Sequence, residues 1–567
     1  MIRFTAFLIA VLALSSSVKC APIGNRVPGE SYLFPTNASH TINSGFADYR
    51  QSHLHGGIDI STNGKIGYPV YAALSGYVDR VSVSPFGYGK MIILRHADSS
   101  FTLYAHLSGF SEEIEKRVEA AQRSEGKYEV DLKFSPNEIK VERGEIIART
   151  GATGAGGPHL HFEIHAKNYS FIDPLIYKSL DVPGYRSPRI FNVAVEGFLS
   201  GRARVSRVAG HRNRCRARDV FQMNEPFFFI IHAADSYGRG RFKRPPKHIV
   251  LRIDGNDFIS LDLTRFDVDD YLDVPSLVDL KLSRGYKTYY RLCVDRAFPF
   301  SVFTPSSPLS GLVDGNLPNG THNYDITVRD ENGDSAVVTG KFILNIGKDK
   351  TVLSRPQADN PVMIKPFNGR VVSPSPGLTL RFPQNAFLKD EDLRVTMLSP
   401  TSFMIRAGGE ELRRRVLLTW NENDPKLQLF RRGRRRWIHI PCENDGKVIT
   451  AKIRFGIGEF ALIRDTTPPV VQRIRVAAKN PFYRSVAPTH FKRDFVYFRV
   501  FDRLSNINTD DILLKVGTQN FLCEYDVDKH AAVCRVDADL LRRERKVEVD
   551  VRDNAGNEKR VVSRLGF

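Results

Sequence analysis

The chain has 567 residues, of which 42% are hydrophobic, 10% aromatic and 26% charged. This length exceeds what one hydrophobic core can serve, so we expect several domains, and the apolar content excludes a largely disordered chain. The formal net charge of +19 favours a polyanionic partner, either nucleic acid, anionic lipid or an acidic wall polymer.

The N-terminal segment has the pattern of a secretory signal peptide. Arg3 precedes a short apolar run that is followed by small residues, and the run is too short to span a bilayer. We therefore predict a signal peptide over residues 1–20, with cleavage before Ala21. Lipid attachment at Cys20 is the disfavoured alternative, because Lys19 directly precedes it. The sequence contains no later run of 18 apolar residues, so no transmembrane segment is predicted. The expected location is the bacterial envelope, periplasmic or secreted, which disfavours nucleic acid as the polyanion.

Three stretches of the next domain contain histidines in a pattern that suits a metal. "HLHGGIDIS" supplies His55 and Asp59, "YAHLS" supplies His106, and "GGPHLHFEIH" supplies His159 and His161. A hydrolytic zinc site needs three protein ligands, usually histidine and carboxylate, and an open position for water. His55, Asp59 and one histidine of the last pair complete that set, since residues two apart on a strand share a face. The other histidine of the pair and His106 are left beside the metal for proton transfer.

Four other polar residues near these motifs are assigned lesser roles. Glu163 and His165 continue the strand face of the histidine pair, and we interpret them as surface residues or as groups behind the ligands. His53 and His96 are interpreted as structural.

One helix is predicted in this region. "SEEIEKRVEAAQRSEG" has Ser111 as its N-cap and acidic residues in its first turn, both of which favour a helix start.

Residues from about 50 to 176 resemble the lysostaphin/LytM-type zinc metallopeptidases, which cleave peptide bonds in bacterial peptidoglycan. The resemblance rests on "HGGIDI", "GYPVYAALSGYV", "GYGKMIILRHADSSFTLYAHLS", "VERGEIIARTGATG" and "GPHLHFEIH", which follow the family's order. It implies that His55, Asp59 and His161 bind Zn²⁺, and that His106 and His159 orient and deprotonate the metal-bound water. The helical segment after "HLSGF" is an insertion relative to the family, and we expect it to shape one wall of the cleft.

The remainder of the chain has the pattern of antiparallel β domains. Short alternating runs such as "KHIVLRIDG", "GLTLRFP" and "KVEVDVRD" are separated by Gly, Pro, Asn and Asp. "ITVRDENGDSAVV" resembles "VDVRDNAGNEKRVV" near the chain end, and we interpret both as closing hairpins of immunoglobulin-like sandwiches. "DTTPP" followed by "DNAGN" resembles bacterial immunoglobulin-like modules.

The predicted fold class is therefore mainly β and multidomain, with an antiparallel peptidase domain of lysostaphin type followed by about three sandwich modules. The predicted divisions are a signal peptide (1–20), the zinc peptidase domain (21–185), an immunoglobulin-like sandwich (186–350), a sandwich with an arginine-rich hairpin (351–465) and a last immunoglobulin-like sandwich (466–567). Because the whole site lies upstream of about residue 190, we expect the peptidase domain to fold without the rest.

Five cysteines follow the signal peptide, and none forms a CxxC pair, which disfavours a thiolate metal site. "FLCEYDVDKHAAVCRV" predicts a hairpin with Cys523 opposite Cys534, so an exported chain should form a disulfide there. Cys215 with Cys293 is a weaker prediction, which leaves Cys442 unpaired.

The third module contains the arginine-rich stretches "ELRRRVLL" and "FRRGRRRWIHI". The region Arg431–Arg436 is a candidate contact for an anionic envelope polymer, with Trp437 as a stacking surface. The alternative is a solvated basic hairpin without a ligand.

These observations together predict a zinc-dependent metalloendopeptidase that hydrolyses peptidoglycan or another peptide polymer. The alternatives are an exported, non-catalytic envelope-binding protein and a regulator of another wall hydrolase. A regulator would be expected to lack part of the ligand set, which is whole in this chain.

Overall fold

The structure is a computed structural model, and it is mainly β. It describes residues 31–565 except for 51–52, 181, 183–184, 212, 238–241, 285–286, 295–299, 305–310, 315–316, 331, 348–367, 385, 388–392, 408–411, 413, 454–456, 478–483 and 487–492. The predicted signal peptide, including Cys20, and most of the predicted boundary near residues 347–361 lie outside the described residues. Among the described helices, none is both long and apolar enough to cross a bilayer.

The first domain is built on an antiparallel sheet whose central strand is His159–His165. Along this strand Leu160, Phe162 and Ile164 are fully buried in an apolar core, so the odd-numbered residues share the opposite face. The main path of the sheet runs through Ile42–Ser44, Ile58–Ser61, His159–His165, Phe101–Ala105, Lys90–Arg95, Gly76–Val83 and Val130–Lys133, with Lys140–Val141, Phe171–Ile172 and Arg265–Phe266 joining at its edges.

A smaller sheet and a helix border the main sheet. The smaller sheet pairs Leu107–Phe110, Ile146–Thr150 and Pro69–Tyr71. The predicted helix is confirmed as Glu112–Glu125, with Ser111 at its N-cap and left-handed Gly126 at its end. The remaining short elements are the paired strands Tyr49–Arg50 and His53–Leu54, strand Lys65–Ile66 paired with Arg484–Ser485, and the 3₁₀ turns Pro174–Ile176 and Lys178–Leu180.

The second module is a 13-stranded β-sheet assembly whose apolar side chains fill a core, and the predicted hairpin lies in the interior of the strand order. The hairpin pairs Gly320–Arg329 with Ser335–Leu344, as the sequence predicts. A 3₁₀ turn, Val268–Leu272, and a short helix, Val274–Leu277, lie outside the sheet. Its other strands are Tyr185–Gly197, Ala203–His211, Arg214–Ala217, Phe221–Met223, Phe227–Tyr237, Phe242–Arg244, His248–Ile253, Asn256–Asp262, Tyr290–Leu292, Phe303–Thr304 and Leu312–Val313.

The third module has two five-stranded antiparallel sheets, between which Phe403, Trp420 and Phe460 are buried. This arrangement is the predicted β-sandwich. One sheet contains Arg370–Ser375, Leu378–Phe382, Val416–Asn421, Val448–Ile453 and Cys442–Asn444. The other contains Arg394–Ser399, Ser402–Arg406, Gly458–Arg464, Leu427–Arg432 and Trp437–Ile440.

The last module has a seven-stranded antiparallel sheet and the helix Ala538–Glu544. Cys523 lies opposite Cys534 on paired strands, and the two form the predicted disulfide. The weaker prediction is wrong, because no disulfide joins Cys215 to Cys293, and Cys442 is not disulfide-bonded either. The strands are Val470–Ala477, Arg493–Phe501, Ala531–Asp537, Gln519–Asp526, Ile507–Val516, Lys546–Asp553 and Glu558–Arg564.

The peptidase domain and the second module share one apolar core. Phe46, Leu54 and Phe171 of the first domain belong to the same buried cluster as Phe266 of the second module. Strand Phe171–Ile172 pairs with Arg265–Phe266, which makes the two sheets continuous at this edge. This continuity does not fit the expectation that the peptidase domain folds without the rest of the chain.

The last module also contacts the peptidase domain, through polar groups. The ammonium of Lys90 lies 3.0 Å from the Glu524 carboxylate, and Arg535 lies 3.3 Å from Glu115 on the inserted helix. Arg535 also donates to the carbonyl of Ser108. The inserted helix and strand Lys90–Arg95 therefore both contact the last module.

Candidate metal centre

Three candidate ligand atoms converge beside the central strand of the sheet, and the three residues are buried. His55 Nε2 lies 3.1 Å from Asp59 Oδ1 and 3.0 Å from His161 Nδ1, and His161 Nδ1 lies 2.9 Å from the same Asp59 oxygen. The pairing of the strands explains this convergence, because His161 is directly opposite Asp59 in the antiparallel register. A triangle of two imidazole nitrogens and one carboxylate oxygen with edges near 3 Å is a donor set that fits Zn²⁺, whose bonds to such atoms are about 2.0–2.2 Å long.

The far side of each ligand histidine is held by a hydrogen bond. His55 Nδ1 lies 2.6 Å from the carbonyl of Gly45, and His161 Nε2 lies 2.8 Å from Glu163 Oε1. Since a carbonyl and a carboxylate only accept, each ring carries a proton on that nitrogen, and its other nitrogen faces the triangle. The site is thus arranged for cation binding by its supporting contacts.

His106 and His159 lie together beside the triangle, with ring centroids 4.4 Å apart. His159 Nε2 is 3.6 Å from Asp59 Oδ1, which is too long for a hydrogen bond. His106 Nδ1 donates to the carbonyl of Thr153 at 2.9 Å, so its Nε2 is the free nitrogen. The backbone of His106 is left-handed, with φ of +59°, a conformation that is uncommon outside glycine and is concentrated at functional sites. All five residues predicted for the site are therefore brought together.

Burial and charge give these groups different proton affinities. Burial, together with the neighbouring His159 and His161, holds the pKa of His106 well below its usual value, and burial also lowers the pKa of His159. Burial acts against the ionisation of Asp59, but the charge of His55 and the hydrogen bonds from His161 and His55 outweigh it and hold the Asp59 pKa well below its usual range. Burial likewise opposes protonation of His161, yet the hydrogen bonds to Asp59 and Glu163 raise its pKa to about 9. A cation at Nδ1 must therefore displace a proton.

Glu163 has a larger role than its position in the sequence suggests. Its carboxylate is fully buried and accepts hydrogen bonds from His161, from His165 Nε2 at 2.6 Å and from the Tyr88 hydroxyl at 2.6 Å. Burial raises the pKa of a carboxyl group, but the bonds from His161 and His165 lower the Glu163 pKa far more. The sequence left two interpretations of Glu163 and His165, as surface residues or as groups behind the ligands. The structure supports the second.

Arg50 and Ser44 are contacts of the site that the sequence did not indicate. Arg50 Nη2 lies 3.0 Å from Asp59 Oδ2 and donates to the Ser44 hydroxyl at 2.8 Å. Arg50 therefore binds the carboxylate oxygen that does not face the triangle, which leaves Oδ1 for a metal. Arg50 and Ser44 are single polar residues before the "HLHGG" motif, and no sequence pattern predicts their contact with the site.

His53 and His96 have the structural roles predicted for them. The His53 ring lies 5.0 Å from that of Tyr271, and His96 is buried with its ring nitrogens on the Ser75 carbonyl and the Thr102 hydroxyl. Neither residue belongs to the ligand triangle.

Gly57 explains why the first motif requires glycine. A β-carbon at this position would lie 2.1 Å from the Phe162 carbonyl oxygen, because the strand that contains His161 passes directly across it. The glycine therefore allows close approach of the two ligand-bearing segments.

A second group of carboxylates lies where the third and last modules meet. Asp465, Asp502 and Asp553 approach one another, and burial and mutual repulsion raise the pKa of Asp502 and Asp553. Each carboxylate already accepts backbone N–H groups of the surrounding loops, for example those of Thr467 and Ser505 at Asp465. These hydrogen bonds compensate for the cost of burying the three carboxylates within the loops.

A His/Asp/His triangle flanked by two further imidazoles on an antiparallel sheet defines a site of the metallopeptidase class. Residues 53–123 match the family described as Peptidase family M23. The matched segment includes His55, Asp59 and His106, and the strand register adds His159 and His161 from outside it.

Curated relatives match the same part of the chain. An "uncharacterized metalloprotease" of Haemophilus influenzae is 34% identical over 134 residues, which are 24% of this chain and 22% of the relative. The "DD-carboxypeptidase/endopeptidase Mpg" of Neisseria meningitidis is 36% identical over 111 residues, 19% of this chain and 20% of the relative. The "murein hydrolase activator NlpD" of Salmonella dublin is 26% identical over 173 residues, 30% of this chain and 38% of the relative. The chain thus spans between a fifth and two fifths of the length of these relatives.

Among solved structures, a zinc-containing peptidase from Vibrio cholerae is 30% identical and covers 24% of this chain and 38% of its own, with a TM-score of 0.18.

Proposed function

We propose that the chain is a zinc-dependent endopeptidase that hydrolyses peptide bonds of bacterial peptidoglycan. The observation that supports this most directly is the triangle of His55, Asp59 and His161, whose ligand atoms lie 2.9–3.1 Å apart and point to one position. The intact pair His106 and His159 beside it supplies two groups for proton transfer.

Zinc bound to the triangle would supply a Lewis acid and a water whose pKa is lowered to about 7. His106 and His159 are suited to hold and move the proton. Both have lowered pKa values through burial, so both are neutral near pH 7 and able to accept a proton, which one of them returns to the leaving amine. The bond from His106 Nδ1 to the Thr153 carbonyl keeps Nε2 as the nitrogen that accepts. Arg50 and Glu163 orient the ligands without entering the triangle.

The substrate class follows from the relatives and from the predicted export. One relative is named a "DD-carboxypeptidase/endopeptidase", which gives an activity on peptide bonds, and another is named a "murein hydrolase activator", which gives murein as the polymer. We place the chain in the bacterial envelope, directed there by the signal peptide of residues 1–20. The Arg431–Arg436 hairpin, in which the Arg432 guanidinium lies 5.1 Å from the Trp437 ring centroid, is a candidate contact for an anionic envelope polymer.

The second candidate function is regulation of another wall hydrolase, which the resemblance to a murein hydrolase activator favours. The two candidates differ in whether the chain itself cuts peptides. The complete ligand triangle favours the enzyme, because an activator has no need of a metal with an open position.

The test uses the purified full chain and purified peptidoglycan. We expect about one zinc per chain by elemental analysis, and new peptide amino termini in the digest by mass spectrometry. Asp59→Ala should remove both, whereas the exposed His248→Ala, in the second module, should remove neither. Bound zinc without peptide release, together with stimulation of a separate wall hydrolase, would establish the regulator instead.

A further inference from the structure

The face of the central sheet that contains the metal centre is covered in part by the second module. His161, Glu163 and His165 share this face, and the last of them is paired with Phe101. Phe101 and its neighbour Leu103 belong to the apolar cluster that continues into the second module. The metal centre and the second module thus divide one sheet face between them, and Glu163 lies at the boundary.

A chain of hydrogen bonds crosses this boundary. His161 Nε2 donates to Glu163 Oε1 at 2.8 Å, and the hydroxyl of Tyr88 donates to the same oxygen at 2.6 Å. Tyr88 is also hydrogen-bonded to Tyr271 of the second module.

Tyr271 is held firmly in position. It lies in the 3₁₀ turn Val268–Leu272, and its ring stacks on Phe171 with centroids 5.1 Å apart and planes 10° apart. Asp267, which caps that turn, accepts a bond from the Ser170 hydroxyl at 2.6 Å. The turn is therefore fixed to the peptidase domain at its cap and at the tyrosine, and Tyr271 is only 7% exposed.

We propose that Tyr271 of the second module is a positioning residue of the metal centre, acting through Tyr88 and Glu163 on the ligand His161. This inference rests on the proposed zinc site. A carboxylate behind a ligand histidine fixes the ring orientation and raises its basicity. Glu163 is a fully buried carboxylate, so each donor it receives matters for keeping it correctly oriented. Tyr88 supplies one of those donors, and Tyr271 polarises and orients Tyr88.

The second module is on this view a structural part of the metal site and not a detachable targeting device. Whatever loosens the contact of the turn Val268–Leu272 with Phe171 should weaken metal binding at a distance from the ligands. The packing of the second module against the peptidase domain therefore affects the affinity of the site for zinc.

The test measures zinc affinity in the full chain by competition with a chromophoric chelator, apart from any activity. Tyr88→Phe should weaken zinc binding by about tenfold, the lower end of the effect of losing an outer partner of a ligand, and Tyr271→Phe by a smaller factor. In the double variant the two effects should be non-additive, because Tyr271 acts through Tyr88. Tyr324→Phe is the matched control, since that tyrosine is buried in the same module and its hydroxyl has no partner among the described residues.

Melting temperatures in excess chelator separate positioning from general destabilisation. We expect the zinc-induced increase in melting temperature to be smaller for Tyr271→Phe than for Tyr324→Phe, each compared with its own melting temperature without zinc. Zinc affinity of Tyr271→Phe equal to that of the control, or effects of Tyr88→Phe and Tyr271→Phe that simply add, would overturn the inference while leaving the zinc site intact. Failure of the unaltered chain to bind zinc would instead refute the proposed function.

Discussion

Replacing the histidines of the site one at a time should separate metal ligands from proton carriers. His161 Nδ1 lies within 3.0 Å of both other ligand atoms, whereas the Nε2 of His159 is 3.6 Å from Asp59 Oδ1 and outside the triangle. His161→Ala leaves two ligands, so zinc and activity should be lost together. His159→Ala and His106→Ala leave the triangle whole, so zinc should remain while turnover falls by about two to four orders of magnitude, the usual effect of losing a general acid–base group.

The assay is elemental analysis of zinc after dialysis, beside the rate of peptide release from peptidoglycan by the same samples. His248→Ala is the control, because this residue lies in the second module and outside the triangle. The reasoning is refuted if His159→Ala loses zinc while His161→Ala retains it. In that case the roles of the two histidines on the strand are exchanged.

Two further predictions concern the third module. Burial lowers the pKa of His439 to about 4 from the ordinary 6.5, so its neutral form stabilises the module above about pH 6.5 and this contribution is lost as the pH falls toward 4, by about 3 kcal/mol. We expect His439→Gln to reduce this decrease in stability. The measurement is urea unfolding followed by tryptophan fluorescence, since both tryptophans lie in this module. An unchanged pH profile would contradict the prediction. Replacing Arg434, Arg435 and Arg436 by Gln should weaken sedimentation with anionic wall polymer and reduce its salt dependence, relative to the same change at the exposed arginines 542, 543 and 545. Equal sedimentation of the two triple variants would favour a hairpin without a ligand.

The site was predictable from the sequence because its ligands lie on short motifs within paired strands. The pattern of alternate residues in "HLHFEIH" indicated which side chains share a face, and strand pairing then brought His161 opposite Asp59. Tyr88 and Tyr271 were not predictable, since their contacts join residues 75 or more positions apart and, for Tyr271, residues of different modules. Local patterns contain no information on how modules dock.

The cysteines illustrate the same limit. Cys523 and Cys534 lie on one hairpin, where the distance along the sequence alone predicts their pairing. Cys215 and Cys293 would have to meet through the tertiary fold, but Cys293 packs with Ala194 and Phe228 while Cys215 lies on a different strand pair. The oxidising environment of an exported protein permits disulfides, but only the tertiary fold decides which cysteines lie close enough to form one.

The shared core gives a last prediction, about truncation. A fragment ending at residue 185 exposes Phe46, Leu54 and Phe171, each fully buried in the whole chain. Burial of one such side chain contributes about 1.5–3 kcal/mol, so the three together amount to about 5–9 kcal/mol, comparable with the whole free energy of unfolding of a domain, about 5–15 kcal/mol. The cut also removes Lys247, which forms a fully buried ion pair with Asp173.

We therefore expect residues 21–185 alone to be unfolded or aggregated. A fragment of residues 21–347 keeps the shared core and Tyr271, so it should fold and bind zinc, losing only polar contacts with the last module such as that of Lys90 with Glu524. Near-ultraviolet circular dichroism and the zinc-induced change in melting temperature of the two fragments test this directly. If the shorter fragment melts cooperatively and binds zinc as tightly as the longer one, the second module is an appended domain, and the cluster that joins the two contributes little to the stability of the peptidase fold.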